Sequence, residues 1–426
     1  MTASRRPGDG VVTAPGSDDA GGLRPGAPGL RRASLALFLA GVATFAAIWS
    51  TQPLLPTLAG SFGVTPGQAA LSVSGATLAL GLGLLVAGPL SDVRGRTWLV
   101  HASLLLSGLA GLACAAAWSW ESLLALRTLQ GLALAGLPAV ATAYLREEVH
   151  RSAAAGAIGL YVGGTALGGM SGRLLAAPLA ELGGWRAALA GTAVLVLACA
   201  ALVRRLLPPS RRFVPLRAHP RAVASQLLRQ VRDPVLVGLF AVGGLLMGAF
   251  VAVFNGLSFR LESPEFGLST AAAGLVFATY ALGSLSSALA GHASARLGAR
   301  PVLPLAVLLA GGGVAVTLAP SLPVVVAGTA LMVVGFFAAH GVASGWVAAR
   351  ASLGAGGAGQ AASLYLLAYY SGASVAGAAA GAAWARSAWP GVVLLSGVLV
   401  ASALLVALAL ARTRRLPLPA AVAAQA

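Results

Sequence analysis

Long apolar runs separated by short polar gaps fill almost the whole chain. A membrane-spanning helix needs about 20 mainly apolar residues. Runs of that kind predict twelve helices, at 34–56, 69–91, 97–118, 121–145, 153–180, 186–206, 233–257, 269–294, 301–319, 322–349, 359–384 and 390–411. Gly and Pro inside these runs do not argue against helix, because membrane helices tolerate both. The longest polar interruption, 207–232, is rich in Arg and Pro and divides the runs six and six. The pattern therefore predicts an all-α polytopic membrane protein with twelve transmembrane helices in two six-helix bundles. The expected divisions are a disordered tail over 1–32, bundles over 33–206 and 233–411, a linker over 207–232 and a second tail over 412–426. The first apolar run is too long for the core of a signal peptide and its flank is too polar, so it is expected to stay as an anchor.

Composition excludes a water-soluble fold. Of 426 residues, 58% are hydrophobic and 9% charged, against about 25% charged in an ordinary soluble domain. Gly is abundant, which suits close helix contact in lipid. The 28 basic residues outnumber the 11 acidic ones, and all are Arg, a usage that fits a GC-rich bacterial genome. A basic balance can signal nucleic-acid binding, but these Arg lie in gaps between apolar runs, so no nucleic-acid partner is expected. With the N-terminus inside, 23 Arg fall on the cytoplasmic side, three (Arg186, Arg260, Arg386) outside and two (Arg127, Arg173) within helices. The positive-inside rule then predicts two cytoplasmic termini, in a bacterial inner (plasma) membrane. Cys114 and Cys199 lie far apart in apolar segments, with neither a disulfide framework nor metal spacing. No metal and no cofactor is expected.

The two halves repeat at an offset of 203–204 residues. "GLYVGGTALGG" (159–169) matches "SLYLLAYYSGA" (363–373), "GGW" (183–185) matches "SAW" (387–389), and "FGVT" (62–65) matches "FGLS" (266–269). Gly88, Asp92 and Gly95 align with Gly291, Ala295 and Gly298. Two parallel six-helix repeats describe a transporter built from pseudo-symmetric halves.

On these residues the chain resembles the major facilitator superfamily over essentially all of 34–411. The family's loop motif, G-x3-D-[RK]-x-G-x-[RK], is matched by Gly88, Asp92 and Gly95, with Arg94 and Arg96 one residue from the family's basic positions. The second copy keeps Gly291, Arg296, Gly298 and Arg300 but has Ala295 for the acid. "LRTLQGLALAG" (126–136) resembles the R-x2-Q-G motif at Arg127, Gln130 and Gly131. Gly159, Gly168 and Gly172 resemble the antiporter motif of the family's exporters, with Arg173 in place of its Pro. "GGMSGR" and "QPLLP" resemble the arabinose-efflux-permease-like subgroup. The resemblance implies the major facilitator fold, gating by the loop-motif and glycine positions, and a small-molecule substrate.

Few polar groups remain to line a central path. Gln52, Arg127, Gln130, Tyr161, Arg173, Asn255, Tyr280, His340, Tyr365 and Tyr369 are the candidates for a substrate cavity or for coupling. Gln52 aligns with Asn255 and Tyr161 with Tyr365, as a site between two halves requires. Each Tyr or amide is equally able to serve interhelical packing. A charged side chain inside a membrane normally faces a partner or a cavity. Glu121 or Glu181 could pair with the embedded Arg, and His340 titrates in a useful range. None of the 11 acids falls at a predicted midplane.

The expected function is secondary active transport by alternating access: proton-coupled export of a small drug-like or sugar-like molecule, with one chain sufficient. The alternative is an uptake transporter or facilitator of a small anionic solute. No H-E-x-x-H, G-x-S-x-G or Walker lysine supports an enzyme or an ATP-driven pump.

Overall fold

A computed structural model describes residues 22–213, 220–353 and 357–413. The tail over 1–21 and most of the second tail lie outside the described residues. The helices are α1 (Pro28–Trp49), α2 (Leu55–Phe62), α3 (Pro66–Arg94), α4 (Arg96–Ala115), α5 (Trp120–Leu134), α6 (Gly136–Glu148), α7 (Arg151–Leu206), α8 (Pro220–Arg232), α9 (Pro234–Glu262), α10 (Thr270–Gly274), α11 (Ala281–Leu297), α12 (Ala299–Val316), α13 (Leu322–Ser352) and α14 (Ala358–Ala411). Ten helical segments among them are long and apolar enough to cross a membrane. Two of the ten exceed any bilayer. A 56-residue helix would run about 84 Å at 1.5 Å per residue, and α7 and α14 have 56 and 54 residues. Both break. The helical backbone is lost at Gly183–Gly184 in α7 and at Ser387–Ala388 in α14, positions 204 apart.

Other turns repeat in the same way. Gly95 (φ 99°) and Gly298 (φ 85°) each end one helix and start the next in backbone that side chains rarely adopt. Gly63 and Gly267 are both left-handed. Thr65 and Ser269 each follow two residues later and cap the next helix, accepting from Gln68 N and Ala272 N. The membrane-length segments, α1 with α2, α5 with α6 and α10 with α11 each counted as one, alternate in direction along the chain. One end of the bundle therefore carries Gly95 and Gly298, called here the motif end, and the far end carries Gly63, Gly267 and both breaks.

Two expected boundaries move. The first helix starts at Pro28, six residues before the apolar run, because Pro at the first helical position has φ preset and needs no donor. Just before it, Leu23 forms a parallel bridge with Val149, so the last part of the expected tail is docked. The expected linker carries the 13-residue helix α8, whose Gln230 Nε2 donates to Gly357 O at 2.9 Å.

The halves are assembled by matching glycine crossings. A methyl group on Gly164, Gly168 or Gly172 of α7 would stand 2.4 Å from the carbonyl oxygens of Phe38, Val42 and Ala46 on α1. Gly372 of α14, 204 residues beyond Gly168, approaches Gly244 of α9 in the same manner. Gly159 has open space where a methyl would go. Gly168→Ala is therefore expected to destabilise the protein by about 1–3 kcal/mol through overpacking. Gly159→Ala is expected to raise stability by up to about 1 kcal/mol, because Ala is the better helix former. Thermal unfolding of both variants in detergent checks this; equal shifts would mean that α7 does not rest on α1 through Gly168.

At the far end Arg260, only 2% exposed, holds three elements together. It donates to Glu265 at 3.0 and 2.5 Å, to Ala319 O at 2.9 Å and to Thr317 O. Trp389 Nε1 donates to Thr317 O as well. The carbonyls beyond the C-terminus of α12 are thus satisfied by donors from α9 and α14. Arg186 plays a similar part beyond α4, donating to Ala117 O at 3.0 Å. Hydrogen bonding to Arg260 holds the Glu265 carboxyl below the usual carboxylate range. A carboxyl depressed on folding stabilises above its unfolded value, near 4.3, and that stability is lost as pH falls through the folded value. Glu265 is partly exposed, so Glu265→Gln is expected to cost only about 0.5–1 kcal/mol near neutral pH. Melting curves from pH 7 downward should show the variant and the parent converging in acid; a gap constant with pH would mean the carboxylate's charge is not involved.

Candidate functional site

The site begins where the first helix breaks. Pro53 and Pro56 have no N–H to give, so the helix cannot run on through residues 49–56. The chain turns through a short 3-10 segment, Gln52–Leu54, between α1 and α2. Three carbonyls around the break find donors from elsewhere. Ser258 Oγ, from the other half, donates to Gln52 O at 3.0 Å, the acceptor that Pro56 cannot serve. Arg127 donates to Ala47 O at 3.1 Å and Ile48 O at 2.8 Å, and also to Ser72 O, Thr51 Oγ1 and Gln130 Oε1. Gln130 Nε2 in turn donates to Ser107 O at 3.0 Å. Arg127 is fully buried, and its cation sits at the negative C-terminal end of α1.

Gln52 itself joins the halves. Its Nε2 donates to Asn255 Oδ1 at 2.7 Å, and its Oε1 accepts from Arg173 Nε at 2.7 Å. Asn255 Nδ2 donates onward to Gly377 O at 3.2 Å. A directed chain of hydrogen bonds thus runs from α7 through the 3-10 segment to α9 and α14. Two further bonds cross between the halves. Thr77 and Ser374 hydroxyls meet at 2.7 Å, and Ala271 N donates to Glu181 Oε1 at 2.7 Å. Glu181 therefore meets a helix N-terminus, not an embedded Arg.

Arg173 is the most unusual group present. It is 1% exposed. It donates to Gln52 and to the carbonyl of Gly169, four residues back. Its guanidinium carbon lies 4.6 Å from the Trp49 ring centre, 4.5 Å from that of Tyr280 and 5.1 Å from that of Phe277. Among the described residues no carboxylate pairs with it. Three aromatic faces, an amide and a carbonyl hold the charge instead.

Beside this group, toward the motif end, lies a cavity of about 440 Å³ between the halves. The first half contributes Trp49 and the 159–169 stretch of α7; the second contributes α9, α11, α13 and α14. Of the ten cavity or coupling candidates, Tyr280, His340 and Tyr369 line this space. Tyr365 stands behind it, its hydroxyl 2.9 Å from His340 Nδ1. Gln52, Asn255 and Arg173 stand over one end, and Tyr161 is buried on α7 outside the lining. Arg127 and Gln130 lie apart from the cavity, in the helix cap. The aromatic wall of Phe250, Phe336 and Phe337 carries no polar pattern in the sequence. Its signal, three Phe on two apolar helices, cannot be told from ordinary core.

The motif end differs between the halves. Arg96 is buried and donates to Asp92 at 2.5 Å, Glu147 at 2.8 Å and Ser91 at 2.6 Å. Arg94 is exposed and lies over Trp98 at 5.8 Å. Gly88 has open space around it. In the second half Ala295 stands where Asp92 does, and Gly291, Arg296, Gly298 and Arg300 line a groove beside Trp346. Among the described residues no group of His, Cys, Asp and Glu could hold a metal ion.

Two repeated helical halves, crossed by glycines and enclosing a cavity walled by both, define a polytopic membrane transporter. The chain belongs to the Major Facilitator Superfamily, whose family model matches residues 37–264. It is 41% identical to the inner membrane transport protein YnfM of Escherichia coli (strain K12), with 91% of each chain covered. It is 37% identical to the MFS-type transporter YybF of Bacillus subtilis (strain 168), over 93% of this chain and 97% of that one. Among solved structures, a bacterial homolog of the human lysosomal transporter Spinster superposes with a TM-score of 0.74 at 16% identity, covering 92% of this chain and 99% of that one. A D-xylose–proton symporter superposes with a TM-score of 0.71 at 15% identity, covering 88% and 97%. The protein is thus a multi-pass membrane transporter and not an enzyme.

Proposed function

We propose that the protein is a proton-coupled exporter of small organic molecules that works as a single chain by alternating access. One observation carries the reading. The cavity lies between the halves, and the hydrogen bonds that join them, Gln52 to Asn255 and Thr77 to Ser374, stand to one side of it. Rocking of the halves would break those bonds and move the opening from one end to the other. In this reading α7 and α14 each cross the membrane twice, giving twelve crossings. The Arg-rich motif end, the 207–232 linker and both termini are cytoplasmic, as the Arg bias supports. The gating positions are Gly88, Asp92 and Arg96 with Gly291, Arg296 and Gly298. Their counterparts on α7 are Gly168 and Gly172, whose resemblance to the antiporter motif supports export in the manner of the arabinose-efflux branch. His340 carries the proton, since it lines the cavity and is hydrogen-bonded to Tyr365.

A second reading is uptake or facilitated passage of a small anion. The unpaired guanidinium of Arg173 beside the cavity favours it. Proteoliposomes containing a pH-reporting dye separate the two. Substrate-dependent proton movement that disappears in Asp92→Asn supports antiport. Solute movement with no proton movement would remove antiport and leave the facilitator.

A further inference from the structure

We infer that the central cavity selects an aromatic organic anion, a carboxylate or sulfonate on a flat apolar body. This rests on the reading of the cavity as the substrate site, and it names the substrate class.

Charge is the first argument. Arg173 keeps its proton under all ordinary conditions, and a buried cation is costly unless paired. Its partners here are neutral, and two of its three aromatic partners, Trp49 and Tyr280, are themselves walls of the cavity. The positive charge is therefore one ring away from the empty space. Among the described residues no Asp, Glu, Asn or Gln lines that space. An organic cation entering it would meet a like charge and no acid. A sugar would find none of the carboxylate or amide groups that accept from several hydroxyls.

Hydrogen bonding is the second. Tyr280 lines the cavity, and among the described residues its buried hydroxyl has no partner. A buried O–H left unpaired is costly, and an anionic oxygen is a strong acceptor for it. Ser284 and Ser287 add two more hydroxyls to the lining.

Shape is the third. The rings of Phe250 and Phe336 stack at 3.9 Å, and the His340 ring lies within 7° of parallel to Phe336. This aligned set of faces suits a flat π system, which packs by offset stacking or edge contact. The pairing of an aromatic slot with a cation behind it fits a body and a head of opposite character.

The test uses four probes on the purified full-length protein: 2-naphthoate, 2-naphthamide, 2-naphthylmethylammonium and L-arabinose. Binding is read by tryptophan fluorescence, since Trp49 forms part of the wall. Naphthoate is expected to bind about tenfold or more tightly than the neutral amide, and the ammonium more weakly still. Arg173→Gln should remove about tenfold of naphthoate affinity and a clearly smaller factor of naphthamide affinity. Tyr280→Phe should weaken naphthoate about threefold to tenfold. The charge series on the unmodified protein decides the matter even where Arg173→Gln fails to fold. Equal or tighter binding of the amide, the ammonium or the sugar would overturn the inference. So would wild-type naphthoate affinity in a folded Arg173→Gln. Flux assays keep the two proposals apart. Naphthoate that binds with this dependence but does not cross supports the site and counts against export. Ammonium that crosses while naphthoate does not overturns the anion and leaves export standing.

Discussion

Arg127→Leu is expected to leave little folded protein in the membrane, and what is recovered should melt far below the parent. Five donor contacts disappear together, to Ser72 O, Ala47 O, Ile48 O, Thr51 Oγ1 and Gln130 Oε1. Each acceptor left dry costs about 1–3 kcal/mol. Removing a buried cation returns part of that, because its desolvation penalty goes too. A net loss of about 3–5 kcal/mol follows, the range seen when one partner of a buried charge network is deleted. Against typical stabilities of about 5–15 kcal/mol, that is a large share. Arg127→Lys should fall between, since a single ammonium cannot reproduce a planar fork that reaches two helices. Yield of monodisperse protein and its melting temperature in detergent are the readouts. A folded Arg127→Leu with parental melting and failed transport would instead make Arg127 a transport residue.

That contrast shows what the sequence could and could not reveal. The resemblance of "LRTLQG" places Arg127 among the cavity or coupling groups, yet three of its five acceptors are backbone carbonyls on α1 and α3. Carbonyls have no residue signature. The available hint was indirect: Pro53 and Pro56 in "QPLLP" forbid helix continuity, so the carbonyls before them need donors from elsewhere. The repeat was far more legible, because turns depend on local chemistry. Gly95 with Gly298, Gly63 with Gly267 and the two mid-helix breaks all fall at the offset that "FGVT", "GGW" and the loop motif display. Gln52 and Asn255 were paired by the same offset, and the structure joins them directly.

The antiporter-like glycines were legible only in part. Gly159 lies nine residues before Gly168, and at about 100° per residue nine steps end half a turn away. Helical period alone therefore sets Gly159 on the opposite face, where it lines the cavity. The same count puts Gly164 with Gly168 and Gly172 on the face that meets α1. Arg173 could be recognised as an embedded cation, but not its aromatic enclosure. Trp49, Phe277 and Tyr280 are more than 100 residues away in sequence, and nothing local in an apolar helix marks which ring will stack on which charge.

A disulfide between Thr77→Cys and Ser374→Cys is expected to stop transport reversibly. The two hydroxyls are 2.7 Å apart on α3 and α14, one in each half, and both residues are buried. Replacing oxygen with sulfur, on a longer bond to Cβ, brings the two thiols within reach of a disulfide bond of about 2.05 Å. Cys114 and Cys199 are buried and unpaired, so both would first become Ala to leave a single reactive pair. The tether would fix the halves at the contact that the proposed rocking opens, and a conformational step of this kind commonly limits turnover. Oxidation should therefore lower substrate flux to about a tenth or less of the reduced protein's rate, with recovery on adding dithiothreitol. The reduced double variant controls for the loss of the hydroxyls. Full activity in fully cross-linked protein would mean that α3 and α14 stay together throughout the cycle. Access would then change by local movement around the cavity, and Gln52 with Asn255, not the whole interface, would be the element that opens.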